Sequence, residues 1–102
     1  MNPETFATRA VTFAKSIEEN YTQWFPCGFA YLSVKGARGN KAKELKALGF
    51  KTDDYNGGLY LTMSKFTPKQ SMYLKLEVAN ELGKDLSNAY PELKFYSWSR
   101  ED

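Results

Sequence analysis

The segment Gly28–Lys35 carries the pattern that most restricts how this chain can fold. Its side chains form two alternating sets, Ala30, Leu32 and Val34 on one side and Phe29, Tyr31 and Ser33 on the other. Because successive side chains of a β-strand point to opposite faces, the alternation predicts a strand with one aliphatic and one aromatic face. A sheet built on this strand needs a layer of helices over its aliphatic face.

Two long segments show the apolar spacing of helices. The first lies near residues 3–22, where Asn2 is a suitable N-cap and Pro3 takes the first helical position. The second follows Thr67, which is expected to cap a helix that ends before Pro91. The first segment is long enough to cross a four-stranded sheet, since a helix rises about 1.5 Å per residue.

A shorter helix and two further strands lie between them. The short helix follows residues 36–39, and Gly49 suits the left-handed conformation that ends many helices. Residues 50–54 and 58–63 are expected to be strands, because the intervening Asn56-Gly57 is a strong hairpin signal. A last alternating segment, residues 93–98, predicts the final strand.

The predicted order is therefore a helix followed by βαββαβ. The last six elements match the split βαβ, ferredoxin-like arrangement, an α+β fold. We expect a four-stranded antiparallel sheet with helices on one face and with the first and third strands central. The chain is interpreted as one domain, 1–102, divided into an N-terminal helix at 1–24 and a βαββαβ core at 25–102.

Composition excludes several kinds of chemistry. The 102 residues include no histidine and one cysteine, Cys27, so neither histidine catalysis nor an intramolecular disulfide is available. No activating base is evident near Cys27, and Asp53 and Asp54 read as solvated acids beside a turn. We expect a protein that is not an enzyme, with no catalytic residue, no metal and no cofactor. No apolar run is long enough for a membrane span and no signal peptide is evident, which predicts a cytosolic protein.

A basic segment between residues 35 and 51 is the first candidate for function. It contains six basic side chains and one acidic side chain. The loop 36–39 leads into a helix N-terminus, whose unpaired N–H groups attract phosphates. The candidate contacts for an anion or a nucleic acid are Arg38, Lys41, Lys43 and Lys46. A flexible connector followed by a solvated helix explains the same residues and is the favoured interpretation.

The aromatic face of the predicted sheet is the second candidate. Its members are Phe29, Tyr31, Tyr60, Tyr96 and Trp98. RNA recognition motifs stack bases on aromatic residues of a similar sheet, but their consensus sequences are missing here. A monomer seldom exposes so much apolar area. The favoured interpretation is that the first helix, from the same chain or from a partner subunit, covers this face.

The segment Phe25–Tyr31, FPCGFAY, resembles the start of the first strand in a family of small tailed-bacteriophage proteins of unassigned function. The similarity continues through further short matches, which are Leu48-Gly49, Lys51, Asp54, Gly58-Leu59-Tyr60, Gln70-Ser71, Ala79 and Ser99–Asp102. Tyr31 replaces a common Trp, and Thr62–Lys65 replaces a Trp-Asn-Pro-like segment. The resemblance implies a phage origin and a bacterial cytoplasm, and it supplies no catalytic residues.

These observations favour a non-enzymatic binding or interaction protein. We expect a homodimer formed through the aromatic face or the first helix, with a host or phage protein as a further partner. The alternative is a nucleic-acid-binding protein that uses the basic segment 35–51 and the sheet aromatics. A second alternative, a small-molecule-binding protein or an enzyme, has no recognisable motif.

Overall fold

The structure is a computed structural model that describes residues 2–20, 27–67 and 71–101. Its elements follow the predicted order. In chain order they are α1 (Pro3–Asn20), β1 (Gly28–Lys35), α2 (Gly39–Leu48), β2 (Lys51–Thr52), β3 (Leu59–Thr62), a 3₁₀ turn (Met63–Lys65), α3 (Met72–Ala89) and β4 (Lys94–Glu101).

The four strands form one antiparallel sheet in the order β2-β3-β1-β4. The first and third strands are central, as expected, and this order is that of a ferredoxin-like fold. Tyr31 in β1 lies opposite Thr62 in β3 and opposite Trp98 in β4. This register fixes which side chains share a face, because directly opposed residues point to the same side of a sheet.

The aliphatic face of the sheet forms the core, which confirms the division read from Gly28–Lys35. Ala30, Leu32 and Val34 are fully buried and pack with Leu59 and Leu61 of β3. The helices supply the rest of the core, with Leu45 and Leu48 from α2 and Val78, Ala79, Leu82 and Leu86 from α3. Burial of these side chains in one continuous cluster is the main contribution to stability.

The expectation that the first helix covers the aromatic face within this chain is wrong. Helix α1 lies in the helix layer, against α3 and α2. Phe6, Ala10 and Ala14 are buried there, and the two alanines are small enough to let α1 approach its neighbours closely. The Arg9 guanidinium donates to both carboxylate oxygens of Asp85 in α3, at 2.7 and 2.9 Å, and holds the two helices together.

Helix ends differ from the prediction in one place. Helix α3 begins at Met72 with Ser71 as its N-cap, whose hydroxyl oxygen accepts from the Leu74 N–H at 3.3 Å. Thr67 is therefore not the cap, and its hydroxyl donates instead to Glu18 of α1 at 2.6 Å. The predicted Asn2 cap is confirmed, since its side-chain oxygen accepts from two N–H groups of the first turn. Residues 21, 22 and 68–70 lie outside the described residues.

Two strands have lengths that differ from the prediction. Strand β2 has only two residues and pairs antiparallel with β3, which confirms the hairpin. Its connecting loop, Asp53–Gly58, is longer than the predicted Asn56-Gly57 turn. Strand β4 continues three residues beyond Trp98, to Glu101. The extension places Arg100 within the sheet.

Candidate nucleic-acid interface

The face of the sheet opposite the helices is called here the open face. It carries the side chains of Phe29, Tyr31, Ser33 and Lys35 of β1, Lys51 of β2, Tyr60 and Thr62 of β3, and Lys94, Tyr96, Trp98 and Arg100 of β4. All five aromatic residues predicted to share a face are in this set. The three described helices pack on the other face of the sheet, although the ammonium group of Lys75 in α3 lies 5.2 Å from the centre of the Phe29 ring.

The aromatic side chains of the open face pack on one another. The rings of Tyr31 and Trp98 are stacked with their centroids 4.4 Å apart, and Tyr60 meets Tyr31 edge-on at 6.0 Å. The Trp98 indole N–H donates to the Ser33 hydroxyl at 2.8 Å, which fixes the ring on the sheet. Only Tyr96 among the five is exposed, at 41%. The bare apolar area is therefore smaller than five separate rings would present.

Four basic side chains surround these rings. Lys51 is directly opposite Tyr60, Lys35 is opposite Lys94, and the Arg100 guanidinium lies 5.5 Å from the centre of the Phe29 ring. All four are exposed, and none forms an ion pair with another described residue. No acidic residue occupies an open-face position of the four described strands. The open face is therefore both aromatic and cationic.

The predicted basic contacts lie elsewhere. Lys41, Lys43 and Lys46 belong to α2, on the helix side of the sheet, and Arg38 is the N-cap residue of that helix. Lys41 is also paired with Glu92. The structure thus separates the predicted phosphate contacts from the predicted stacking surface. Two residues of the basic segment, Lys35 and Lys51, do share the aromatic face.

The sequence interpretation missed Lys94 and Arg100 as open-face residues. Lys94, Tyr96, Trp98 and Arg100 are alternate residues of one strand, so their side chains point to the same face. The alternation that identified the aromatic residues therefore also identifies the two basic residues. The predicted strand, residues 93–98, stopped short of Arg100. Lys94 lies within it, two residues before Tyr96, and its side chain is therefore on the same face.

A groove of about 510 Å³ runs along the open face beside the β2–β3 hairpin. Its walls are Tyr31, Tyr60, Trp98 and Arg100 from the sheet and Thr52, Asp53, Asp54, Tyr55 and Asn56 from the hairpin. The volume lies within the range of about 300–1,000 Å³ typical of small-molecule sites. Aromatic, acidic and basic side chains thus line one concave surface.

The Asp53 carboxylate holds the hairpin side of this groove in place. One of its oxygens accepts from the N–H groups of Tyr55 and Asn56, both at 3.0 Å, and the other accepts from the Asn56 amide at 3.3 Å. These hydrogen bonds, led by that from the Asn56 backbone, lower the pKa of Asp53 below its ordinary value. Gly58 has φ +76°, and a Cβ there would lie 2.3 Å from the Val34 carbonyl oxygen, so the close approach requires glycine.

Cys27 and Lys75 lie at the other end of β1, beside Gly28. Cys27 has a free thiol and is half-buried, and its backbone forms an isolated β-bridge with Ser71. Lys75 of α3 is 3% exposed, donates to the Gly28 carbonyl at 2.9 Å and lies 5.2 Å from the Phe29 ring. Among the described residues, no cluster of three or more potential metal ligands occurs.

Comparison with known proteins found no matching family model, no matching curated protein and no matching solved structure. None of the helices within residues 2–20, 27–67 and 71–101 is long and apolar enough to cross a membrane.

Proposed function

We propose that this protein binds single-stranded nucleic acid on the open face of its sheet. The observation that supports this proposal is the presence of five aromatic and four basic side chains on one face that lacks acidic strand residues. Aromatic side chains stack unpaired bases, at about 1–3 kcal/mol per base. Lysine and arginine beside them neutralise the phosphates between those bases. Duplex bases are already stacked on each other, so a single strand is the better ligand.

Charge also favours this ligand over a second copy of the chain on the same face. A two-fold dimer formed face to face would place the basic strand residues of both protomers, Lys35, Lys51, Lys94 and Arg100, in one interface. Like charges placed together at an interface cost several kcal/mol. A phosphate backbone carries the opposite charge, so binding it does not incur this cost.

The first experiment is titration of a fluorescently labelled 12-nucleotide single strand, followed by anisotropy at several salt concentrations. If Lys35, Lys51 and Lys94 each contact one phosphate, the slope of log K against log salt is expected to be about −2. A duplex of the same length is the control and is expected to bind more weakly. Absence of binding to the single strand at low salt would overturn the proposal.

A second experiment reports on stacking directly. Trp24→Phe leaves Trp98 as the only tryptophan, so its fluorescence reports on the open face alone. Stacking of a base on the ring is expected to quench the emission as the single strand is added. Unchanged emission at saturating oligonucleotide would exclude stacking at Trp98.

A protein partner is a second candidate, favoured by the position of β4 at the edge of the sheet. This strand has eight residues and is paired only with β1 among the described strands. An edge strand of this length can accept a further strand, from a second copy or from another protein. Light scattering at micromolar concentration tests the homodimer, and a monomeric mass would exclude it.

The resemblance to bacteriophage proteins suggests where this binding takes place. We propose that the protein acts on nucleic acid in the cytoplasm of an infected bacterium. Affinity capture from expressing bacteria, with and without nuclease, tests this part. We expect nucleic acid to be recovered with the protein and to be lost after nuclease treatment. Recovery of a protein partner both with and without nuclease would favour the second candidate.

A further inference from the structure

We infer that the groove beside the β2–β3 hairpin is a base-binding subsite that prefers guanine. This inference rests on the proposed function, because it assigns one base of the bound strand to the groove. Three features support it: the aromatic wall formed by the sheet, a carboxylate on the hairpin and a guanidinium on β4, neither of which forms an ion pair with a described residue.

The aromatic wall favours a planar ligand. Tyr31, Tyr60 and Trp98 lie on the sheet side of the groove and are held by contacts with each other. Because these rings are already positioned, a base that stacks on them requires little further ordering of the protein. The volume, about 510 Å³, leaves room for one base with part of its sugar.

The carboxylate that faces a ligand is that of Asp54. Its neighbour Asp53 uses both carboxylate oxygens within the hairpin. Asp54 lines the groove, is exposed and has no hydrogen bond or ion pair with another described residue. It can therefore accept two hydrogen bonds from a ligand, and a base presenting only carbonyl oxygens there would be repelled.

The guanidinium of Arg100 supplies the complementary donors. It lines the same groove, is exposed and forms no ion pair with a described residue. Guanine has two adjacent donors, N1–H and the 2-amino group, which suit a carboxylate, and two adjacent acceptors, O6 and N7, which suit an arginine fork. Adenine, cytosine and thymine each lack at least one of these two adjacent pairs.

Tyr55 supports the presence of a ligand at this place. Its side chain lines the groove and yet is 98% exposed, so it packs against almost nothing in the free protein. An aromatic side chain at a loop tip gains contact area only when something else binds beside it.

The test compares nine-nucleotide strands of thymine with strands that carry one central guanine, adenine or cytosine. The guanine strand is expected to bind about ten-fold more tightly than the all-thymine strand. In Asp54→Asn the affinity for the guanine strand divided by that for the all-thymine strand is expected to fall to about one, while loss of the negative charge changes the affinity for both strands alike. Glu44→Gln, which removes one exposed carboxylate from α2, is the matched control and should keep the preference.

The outcomes separate the subsite from the proposed function. Binding of every strand with equal affinity would overturn the guanine preference and leave the proposed function standing, whereas no binding of any strand would overturn both. A preference retained in Asp54→Asn would overturn the role of Asp54. Arg100→Lys keeps the charge but loses the two-pronged donor, so it should also lose the preference, and it provides a second variant if Asp54→Asn does not fold.

Discussion

Tyr31 and Trp98 lie opposite each other on β1 and β4, with their rings stacked 4.4 Å apart. The pair joins two strands that are distant in sequence but adjacent in the sheet. The Ser33 hydroxyl accepts from the Trp98 indole N–H and fixes the orientation of the second ring. The open face therefore has a rigid aromatic centre before any ligand binds, which reduces the entropy lost on binding.

Replacement of Trp98 by leucine tests this centre. Loss of a stacked base is expected to weaken binding of a single strand by about 1–3 kcal/mol, or roughly 5- to 150-fold. Anisotropy titration at fixed salt measures the change. Tyr73→Leu is the control, because Tyr73 is an exposed aromatic residue of α3 on the other side of the sheet. Equal losses in both variants would show that the effect is not specific to the open face.

Phe6→Ala tests whether α1 belongs to the core. Phe6 is 1% exposed and meets Phe66 edge-on at 6.2 Å, so the substitution leaves a cavity beneath α1. The free energy of unfolding is expected to fall by about 3–5 kcal/mol, as measured by urea denaturation. Val11→Ala, at a more exposed position of the same helix, should change it by less than about 1 kcal/mol. A similar stability for both variants would indicate that α1 does not pack as described.

The fold could be predicted from the sequence because its signals were local. Alternation in Gly28–Lys35 gave the two faces of β1, and the left-handed Gly49 ended α2 as expected. The position of α1 was not predictable in this way. Its stripe of Phe6, Ala10 and Ala14 shows only that one side of the helix is buried, and both faces of the sheet offered an apolar surface.

The candidate site was predictable only in part, for a related reason. The alternation of side chains along each strand correctly predicted that the five aromatic residues share a face, because that alternation depends only on local sequence. The basic segment was grouped by closeness in sequence, although Lys35 and Lys51 face one way and Lys43 and Lys46 lie on a helix across the sheet. The groove depends on the packing of the Asp53–Gly58 loop against the sheet, which no local pattern specifies.

Tyr90→Phe is expected to raise stability. The Tyr90 side chain is 6% exposed, and its hydroxyl is buried without a hydrogen-bond partner among the described residues. The same burial raises the pKa of Tyr90 above its ordinary value. Removal of an unsatisfied hydroxyl while the ring is kept is expected to increase the free energy of unfolding by about 1 kcal/mol. A decrease measured by urea denaturation would show that the hydroxyl is satisfied in solution.

The Asp53 carboxylate predicts a pH dependence. Because hydrogen bonds lower its pKa in the folded state, the ionised form is favoured by folding. Its contribution to stability is therefore present above the ordinary pKa of an aspartate and is lost as pH falls through the lowered value. Asp53→Asn should lower the urea midpoint at pH 7, and the difference from wild type should shrink toward pH 3. A difference that is constant over this range would contradict the assignment.

Exchange of charges on the two sides of the sheet distinguishes the open face from the basic helix. Lys51→Glu combined with Lys94→Glu alters the open face, and Lys43→Glu combined with Lys46→Glu alters α2, with the same change in net charge. If phosphates follow the open face, the first variant should lose two contacts and make the salt slope less steep by about 1.4. The second variant should keep the salt slope. Its affinity should change only through the lower net charge of the protein. The reverse result would place the phosphate contacts on α2 and would overturn the proposed interface, because stacking residues and phosphate contacts would then lie on opposite faces of the sheet.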